Sequence, residues 1–319
     1  MLKEIPVVEY NSLPTNEEEA KVVAAAFRDI GFLFVHMDGI SGILAPIYDA
    51  MRKFFSLEDE VKRVYARPDL AYQRGWTPPF QELGIACRSL GANSSPLPDA
   101  KENWFIGDEW IDEHPLAKQY PAFYPRNIWP KEVPELRTEL LKLYSILHEC
   151  GLRVLKSLTN NLLVPVDYFD KIVNDAPTAM RAIHYPQVLP EQVGKLIWAC
   201  KHTDINLVTV LPASTRPGLW IRRSDGVWIP GNAPEDSLIV QVGDMLDYLT
   251  GGYFVSAAHE VRAPDKPTSE GRYSAALFMH PNSLVTLSPI VNGPDSAACP
   301  PITAGDYLMK RLKAIRLAH

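Results

Sequence analysis

The spacing of apolar residues divides the chain into two textures, helical in the first half and short-period in the second. Residues 5–8 read as a short strand. Thr15-x-x-Glu18 is a capping-box pattern ahead of Val22, Val23, Ala26, Phe27 and Ile30, a helical stripe that stops at Gly31. A strand at 32–36 follows, then helical spacing over 43–55 and 58–64. Residues 66–130 are rich in Pro, Gly, Asn and Trp without a period, which predicts long ordered loops. Leu136, Leu140, Leu143, Leu147, Val154, Leu155 and Leu158 then recur at three- and four-residue steps and predict one long amphipathic helix over 135–163, with Gly151 as its point of weakness.

Beyond Thr178 the runs are short, apolar or alternating, and separated by Pro, Gly, Asn and Asp. They fall at 180–185, 195–201, 207–211, 219–222, 227–229, 237–242, 245–249, 254–262 and 271–279, a series of strands. Tyr307, Leu308, Leu312 and Ile315 predict a closing helix. Helices first, strands second and a terminal helix predict a mixed α and β fold: a double-stranded β-helix, or jelly-roll, core buttressed by N-terminal and central helices. With no internal repeat and no linker, residues 1–319 read as one domain: an N-terminal helical and loop region (1–130), a core at 178–282 and a C-terminal helix at 303–319.

Composition narrows the partners. Hydrophobic residues make up 46% and charged residues 22%, ordinary values for a globular protein that buries a large core. A net charge of −6 and the lack of a basic cluster argue against nucleic acid or an anionic membrane, leaving a small molecule as the expected partner. No run approaches the roughly 18 apolar residues of a membrane span, and the first residues carry no basic-then-apolar leader, so a cytoplasmic location is expected. Cys87, Cys150, Cys200 and Cys299 are widely spaced and form no Cys-x-x-Cys, which excludes zinc-ribbon and thioredoxin readings and predicts reduced thiols.

Two His-x-Asp patterns occur, His36-Met-Asp38 and His202-Thr-Asp204. On a strand either pair projects from one face and can grip one ion. Downstream residues separate them. His259 follows His202 in another strand, and Arg272-Tyr-Ser274 follows His259, an order with no counterpart after His36. Arg222-Arg-Ser224 repeats the Arg-x-Ser pattern but runs into a turn signal, whereas Arg272 and Ser274 continue as Ala276 and Phe278 on one face of an apolar strand. An arginine buried there requires an anionic partner. Two imidazoles and one carboxylate form a facial triad, which leaves metal positions open and favours iron(II).

These residues resemble the isopenicillin N synthase-like branch of the iron(II)/2-oxoglutarate dioxygenases, over nearly the whole chain. Gly31-Phe-Leu-Phe-Val-His-Met-Asp-Gly-Ile40 is similar to the family's early strand and turn, and Arg181-Ala-Ile-His-Tyr-Pro186 to the strand whose tyrosine contacts 2-oxoglutarate. Val242-Gly-Asp-Met-Leu246, Thr250-Gly-Gly252 and Ala258-His-Glu-Val261 keep the family's order. Ile183 stands where many members carry Asn, and Glu260 where Arg usually follows the histidine.

The resemblance implies iron(II) on His202, Asp204 and His259, with 2-oxoglutarate on Arg272, Ser274 and Tyr185 and O2 as oxidant. A C–H bond of a small organic molecule would be oxidised by hydroxylation, desaturation or cyclisation, with release of succinate and carbon dioxide. Two other readings stand beside this one. The first is an iron oxidase that does not use 2-oxoglutarate, since isopenicillin N synthase keeps Arg-x-Ser for its substrate; the second is a silent small-molecule-binding relative. For the substrate, Arg181 shares a face with Tyr185, and Arg74-Gly-Trp76 is similar to a segment near the cavity mouth, which makes Arg181, Trp76 and Arg74 candidate contacts.

Overall fold

The computed structural model describes residues 2–81, 98–110 and 113–314; Cys87 and the last five residues of the expected C-terminal helix lie outside them. The strands are β1 (Val7–Glu9), β2 (Phe32–His36), β3 (Gly75–Thr77), β4 (Glu102–Gly107), β5 (Ala179–Tyr185), β6 (Ala199–His202) and β7 (Val208–Pro212). They continue as β8 (Leu219–Arg222), β9 (Trp228–Pro230), β10 (Ser237–Val242), β11 (His259–Val261), β12 (Arg272–Met279), β13 (Thr286–Leu287) and β14 (Ile302–Thr303). The helices are α1 (Glu17–Asp29), α2 (Ile40–Phe55), α3 (Asp59–Arg63), α4 (Glu135–Ser157), α5 (Thr159–Leu162), α6 (Tyr168–Val173), α7 (Asp244–Leu249) and α8 (Ala304–Ala314).

Among the described residues, one sheet runs β1-β2-β10-β7-β12-β5-β4-β3 and a smaller one β6-β11-β8-β9. Alternation along each strand divides the core. Phe32, Phe34, Ile183, Leu211, Ile239 and Ala276 point from the large sheet toward Leu219, Ile221 and Val261 of the small sheet and Trp198 just ahead of β6, in one apolar cluster. Their neighbours Leu33, Val35, Val210, Val240 and Leu277 point the other way and join α1, α2 and α4 in the second cluster. Strands buried on both faces read as continuous apolar runs, which is why 32–36 shows no polar alternation.

Helix α4 runs unbroken through Gly151. A side chain there would press on Met279 Cε at 3.0 Å and Val210 Cγ2 at 3.1 Å, so glycine sets how closely this helix lies on the sheet. The cap of α1 is Asn16, whose side chain accepts from the Glu18 and Glu19 amides, rather than Thr15.

Two other expectations change. The 66–130 region is not all loop: β4 is wholly buried in the large sheet, between β3 and β5, so the core extends well outside 178–282. Its apolar period is masked by Glu102, a buried charge matched by Lys62 (2.8 Å) and hydrogen-bonded to His184 (2.8 Å) and Trp76 (2.7 Å). Residues 245–249 form helix rather than strand, and of 254–262 only His259–Val261 is strand. A five-residue segment, Met245-Leu-Asp-Tyr-Leu249, is too short for its period to separate the two states. No helix among the described residues is long and apolar enough to cross a membrane.

Candidate metal centre

Antiparallel pairing of β6 with β11 sets His202 opposite His259, so both imidazoles project from the same face of the small sheet, ring centroids 4.3 Å apart. Asp204, just past the end of β6, brings Oδ1 to 3.8 Å from Nε2 of each histidine, and one donor atom from each of the three lies within 4.8 Å of the others. The remaining polar atom of every side chain is tied down. His202 Nδ1 donates to Cys200 O (2.7 Å) and His259 Nδ1 to Ala257 O (3.3 Å). Because a carbonyl only accepts, each ring carries its proton on Nδ1 and turns a bare Nε2 inward. Asp204 Oδ2 accepts from Thr209 Oγ1 (2.5 Å) and from the Gln241 amide, which leaves Oδ1 for the shared point.

The electrostatics suit a cation. Burial works to raise the Asp204 carboxyl, but the two facing imidazoles and the Thr209 and Gln241 donors outweigh it and hold the group below the usual carboxylate range. Burial, reinforced by His202, pushes His259 down to about 4. A deprotonated Asp204 carboxylate and a neutral His259 imidazole at neutral pH are the states a divalent ion requires. Two nitrogens and one oxygen, each oriented by a further hydrogen bond, fit an iron site with open positions. The other His-x-Asp forms no such group: His36 and the exposed Asp38 pair with each other at 3.1 Å at the surface.

Arg272 opens β12 on the wall of the same cavity and is 2% exposed. Its Nε donates to Arg216 O (3.0 Å), its Nη2 to Ser214 Oγ (2.9 Å), and its guanidinium lies 4.8 Å from the ring centre of Tyr185, its register partner on β5. Nη1 is buried without a hydrogen-bond partner, and no carboxylate pairs with this arginine among the described residues. Ser274, two residues on, faces the same cavity. A buried guanidinium with one unpartnered donor, beside a hydroxyl and a phenol, has the charge and the donors to take an anionic group.

Two family models match the sequence. The N-terminal model of the non-haem dioxygenases of morphine synthesis matches residues 5–132, and the 2OG-Fe(II) oxygenase superfamily model matches residues 177–281, together well over half of the chain and with the three donors and Arg272 inside the second. The chain belongs to the 2OG-Fe(II) oxygenase superfamily. It is 29% identical to the 2-oxoglutarate-dependent dioxygenase tropC of Talaromyces stipitatus, over 97% of this chain and 94% of that protein. It is 27% identical to a 2OG-Fe(II) oxygenase family protein from Caulobacter crescentus of known structure, with a TM-score of 0.81 over 98% of this chain and 100% of the other. The fold also matches a full-length Neurospora crassa protein solved in complex with alpha-KG, at a TM-score of 0.79, 23% identity and 98% of each chain.

As a member of this superfamily the protein is an iron(II)- and 2-oxoglutarate-dependent dioxygenase, with O2 as the usual co-substrate. Its cavity, about 150 Å3, continues from the metal centre to Phe105, Arg181, Phe278, Leu308, Arg311 and Leu312. Arg181 stacks on Phe105 at 4.4 Å and Phe278 at 5.1 Å. Arg74 and Trp76 are not brought to this cavity. Trp76 packs in the helical cluster with its indole N–H on Glu102, and Arg74 is buried against Gly107, its Nη1 on Gln73 O at 2.7 Å. Alternation at the edge of the sheet turns Gln73 inward instead.

Sequence reasoning missed Thr209, Gln241, Ser214, His280 and Arg311. Thr209 and Gln241 carried a usable signal, since each is a buried polar residue inside an otherwise apolar strand. Tyr48 is a further omission: from α2 it donates to Ala213 O (2.5 Å) and fixes the loop that supplies both acceptors of Arg272.

Proposed function

We propose that His202, Asp204 and His259 hold the iron(II), and that Arg272, with Ser274 and Tyr185, holds the distal carboxylate of 2-oxoglutarate. The carrying observation is the buried Nη1 of Arg272, a charged donor with nothing to bind, on the same cavity wall as the three donor atoms. When bound, iron(II) with 2-oxoglutarate and O2 supplies oxidation of an unactivated C–H bond, with succinate and carbon dioxide as co-products. The chain's own contribution is orientation. The Arg272 fork, already fixed by Arg216 O and Ser214 Oγ, sets the angle of the co-substrate as well as its charge. Thr209 and Gln241 keep Asp204 turned toward the metal point, and the apolar walls exclude bulk water so that one substrate position is presented.

The substrate is a small organic molecule lodged between Phe105, Phe278 and the C-terminal helix, with Arg181 among its contacts, and hydroxylation, desaturation or cyclisation all fit this arrangement. We place the protein in the isopenicillin N synthase-like branch and in secondary metabolism, a reading supported by the match of its N-terminal region to the dioxygenases of morphine synthesis. The described cysteines Cys150, Cys200 and Cys299 are free thiols, which supports a cytoplasmic location.

Anaerobic addition of iron(II) and then 2-oxoglutarate to the metal-free protein is expected to give a visible metal-to-ligand charge-transfer band. Arg272→Ala should require far more 2-oxoglutarate to reach the same absorbance, and Arg272→Lys should fall between, since it keeps charge and loses the fork. An unchanged requirement in Arg272→Ala would remove this residue from the site.

A further inference from the structure

Three histidines line the cavity, and all three are anchored alike. His280 Nδ1 lies 3.0 Å from Phe278 O, the relation that His202 bears to Cys200 O and His259 to Ala257 O. By the same argument, the proton of His280 sits on Nδ1 and the lone pair on Nε2. The lone pairs of His202 and His259 meet Asp204, but His280 stands outside that cluster of donor atoms. Although this side chain is more than nine-tenths buried, Nε2 has no hydrogen-bond partner among the described residues. His280 lines the cavity, so the partner of this acceptor is whatever fills the cavity, a ligand or an ordered water.

Its placement says which ligand. Arg272, Ser274, Ala276, Phe278 and His280 alternate along one edge of the cavity, so His280 lies at the opposite end of this row from the co-substrate cradle. Burial pushes the imidazole down to about 4, with a lesser contribution from the positive charge of Arg181, which is paired with Ala276 and stacked on Phe278. A group that stays neutral can only accept through Nε2.

We propose that His280 is a specificity-determining residue of the substrate compartment, its Nε2 accepting a hydrogen bond from a hydroxyl or N–H group of the substrate. The substrate class is therefore a small molecule with an apolar body, matched to Phe105, Phe278 and Leu308, that carries one hydrogen-bond donor at the end directed away from 2-oxoglutarate. The inference rests on the preceding reading, which makes this cavity the substrate site.

The test uses zinc(II)-loaded protein with 2-oxoglutarate, labelled with 15N-histidine, and long-range 1H–15N correlations at pH 7. His280 is expected to show a protonated Nδ1 and a bare Nε2. Phenol and succinimide should shift the Nε2 resonance and bind about tenfold more tightly than anisole and N-methylsuccinimide, the loss expected for one unmade hydrogen bond. His280→Gln, which keeps an acceptor at similar reach, should retain this preference, and His280→Phe should abolish it. A proton on Nε2, equal binding of donors and their methylated partners, a preference that survives in His280→Phe, or no probe reaching His280 would each overturn the proposal. Zinc stoichiometry, titrated separately, tests the metal reading alone: zinc lost while the donor preference persists would sink that reading and leave this one.

Discussion

Gln241 donates its side-chain amide to Oδ2 of Asp204, so a residue near the end of β10 decides which oxygen of the carboxylate faces the two histidines. The same nitrogen lies 3.4 Å from His259 Nε2. Gln241→Leu keeps the apolar strand intact and frees the carboxylate to rotate. Iron(II) or zinc(II) affinity is expected to fall about 10–100-fold, the usual cost of removing a hydrogen bond behind a metal ligand, with little change in thermal unfolding of the metal-free protein. Metal titration of both proteins checks it, and unchanged affinity would show that Thr209 alone orients Asp204.

The two His-x-Asp patterns make opposite demands. Asp204→Ala is expected to abolish iron binding and 2-oxoglutarate turnover, whereas Asp38→Ala, at an exposed surface pair, should leave both as in the parent protein. Calorimetric iron titration with succinate release as the second readout distinguishes them, and the reverse outcome would move the metal site to β2.

Acid should unfold the metal-free protein through its buried imidazoles. His280 is pushed down to about 4 by burial, against an ordinary value of 6.5, so between these pH values the unfolded chain binds a proton that the folded chain refuses. Stability is then fully present above pH 6.5 and is lost as pH falls toward 4, by on the order of 3 kcal/mol for this residue. His259 contributes in the same direction. Urea midpoints measured from pH 7 to 4 should show a shallower decline in His280→Gln, and an identical slope would remove His280 from the acid transition.

Glu102 holds the N-terminal region to the sheet. It accepts from Lys62, Trp76 and His184, and the Lys62 ammonium is almost fully buried, with the half-exposed Asp59 as its one other carboxylate among the described residues. Glu102→Ala leaves that charge and the indole N–H poorly matched and is expected to cost about 3–5 kcal/mol of stability. Glu102→Gln, which keeps an acceptor for the indole, should cost less. Denaturant unfolding with metal affinity measured alongside would show whether this outer face is independent of the site, as the geometry requires.

The sequence by itself determined the elements whose period is local: the α4 stripe from Leu136 to Leu155, the strands at Phe32–His36, Leu219–Arg222 and Ser237–Val242, and the chemical identity of the donors in the order His202, Asp204, His259, Arg272. Those features follow from covalent spacing, because a helix or strand repeats its own faces. Only the tertiary structure decided what depends on partners distant in sequence. Register between β6 and β11 brings His202 to His259, and the loop pinned by Tyr48 leaves Nη1 of Arg272 unmatched. Coverage on both faces turned Glu102–Gly107 from apparent loop into a buried strand beside the sheet edge, and alternation sent Trp76 into the core while His280 faced the cavity. Burial and hydrogen-bond satisfaction are properties of the surroundings, and a single chain of letters does not state which surface will cover a given face.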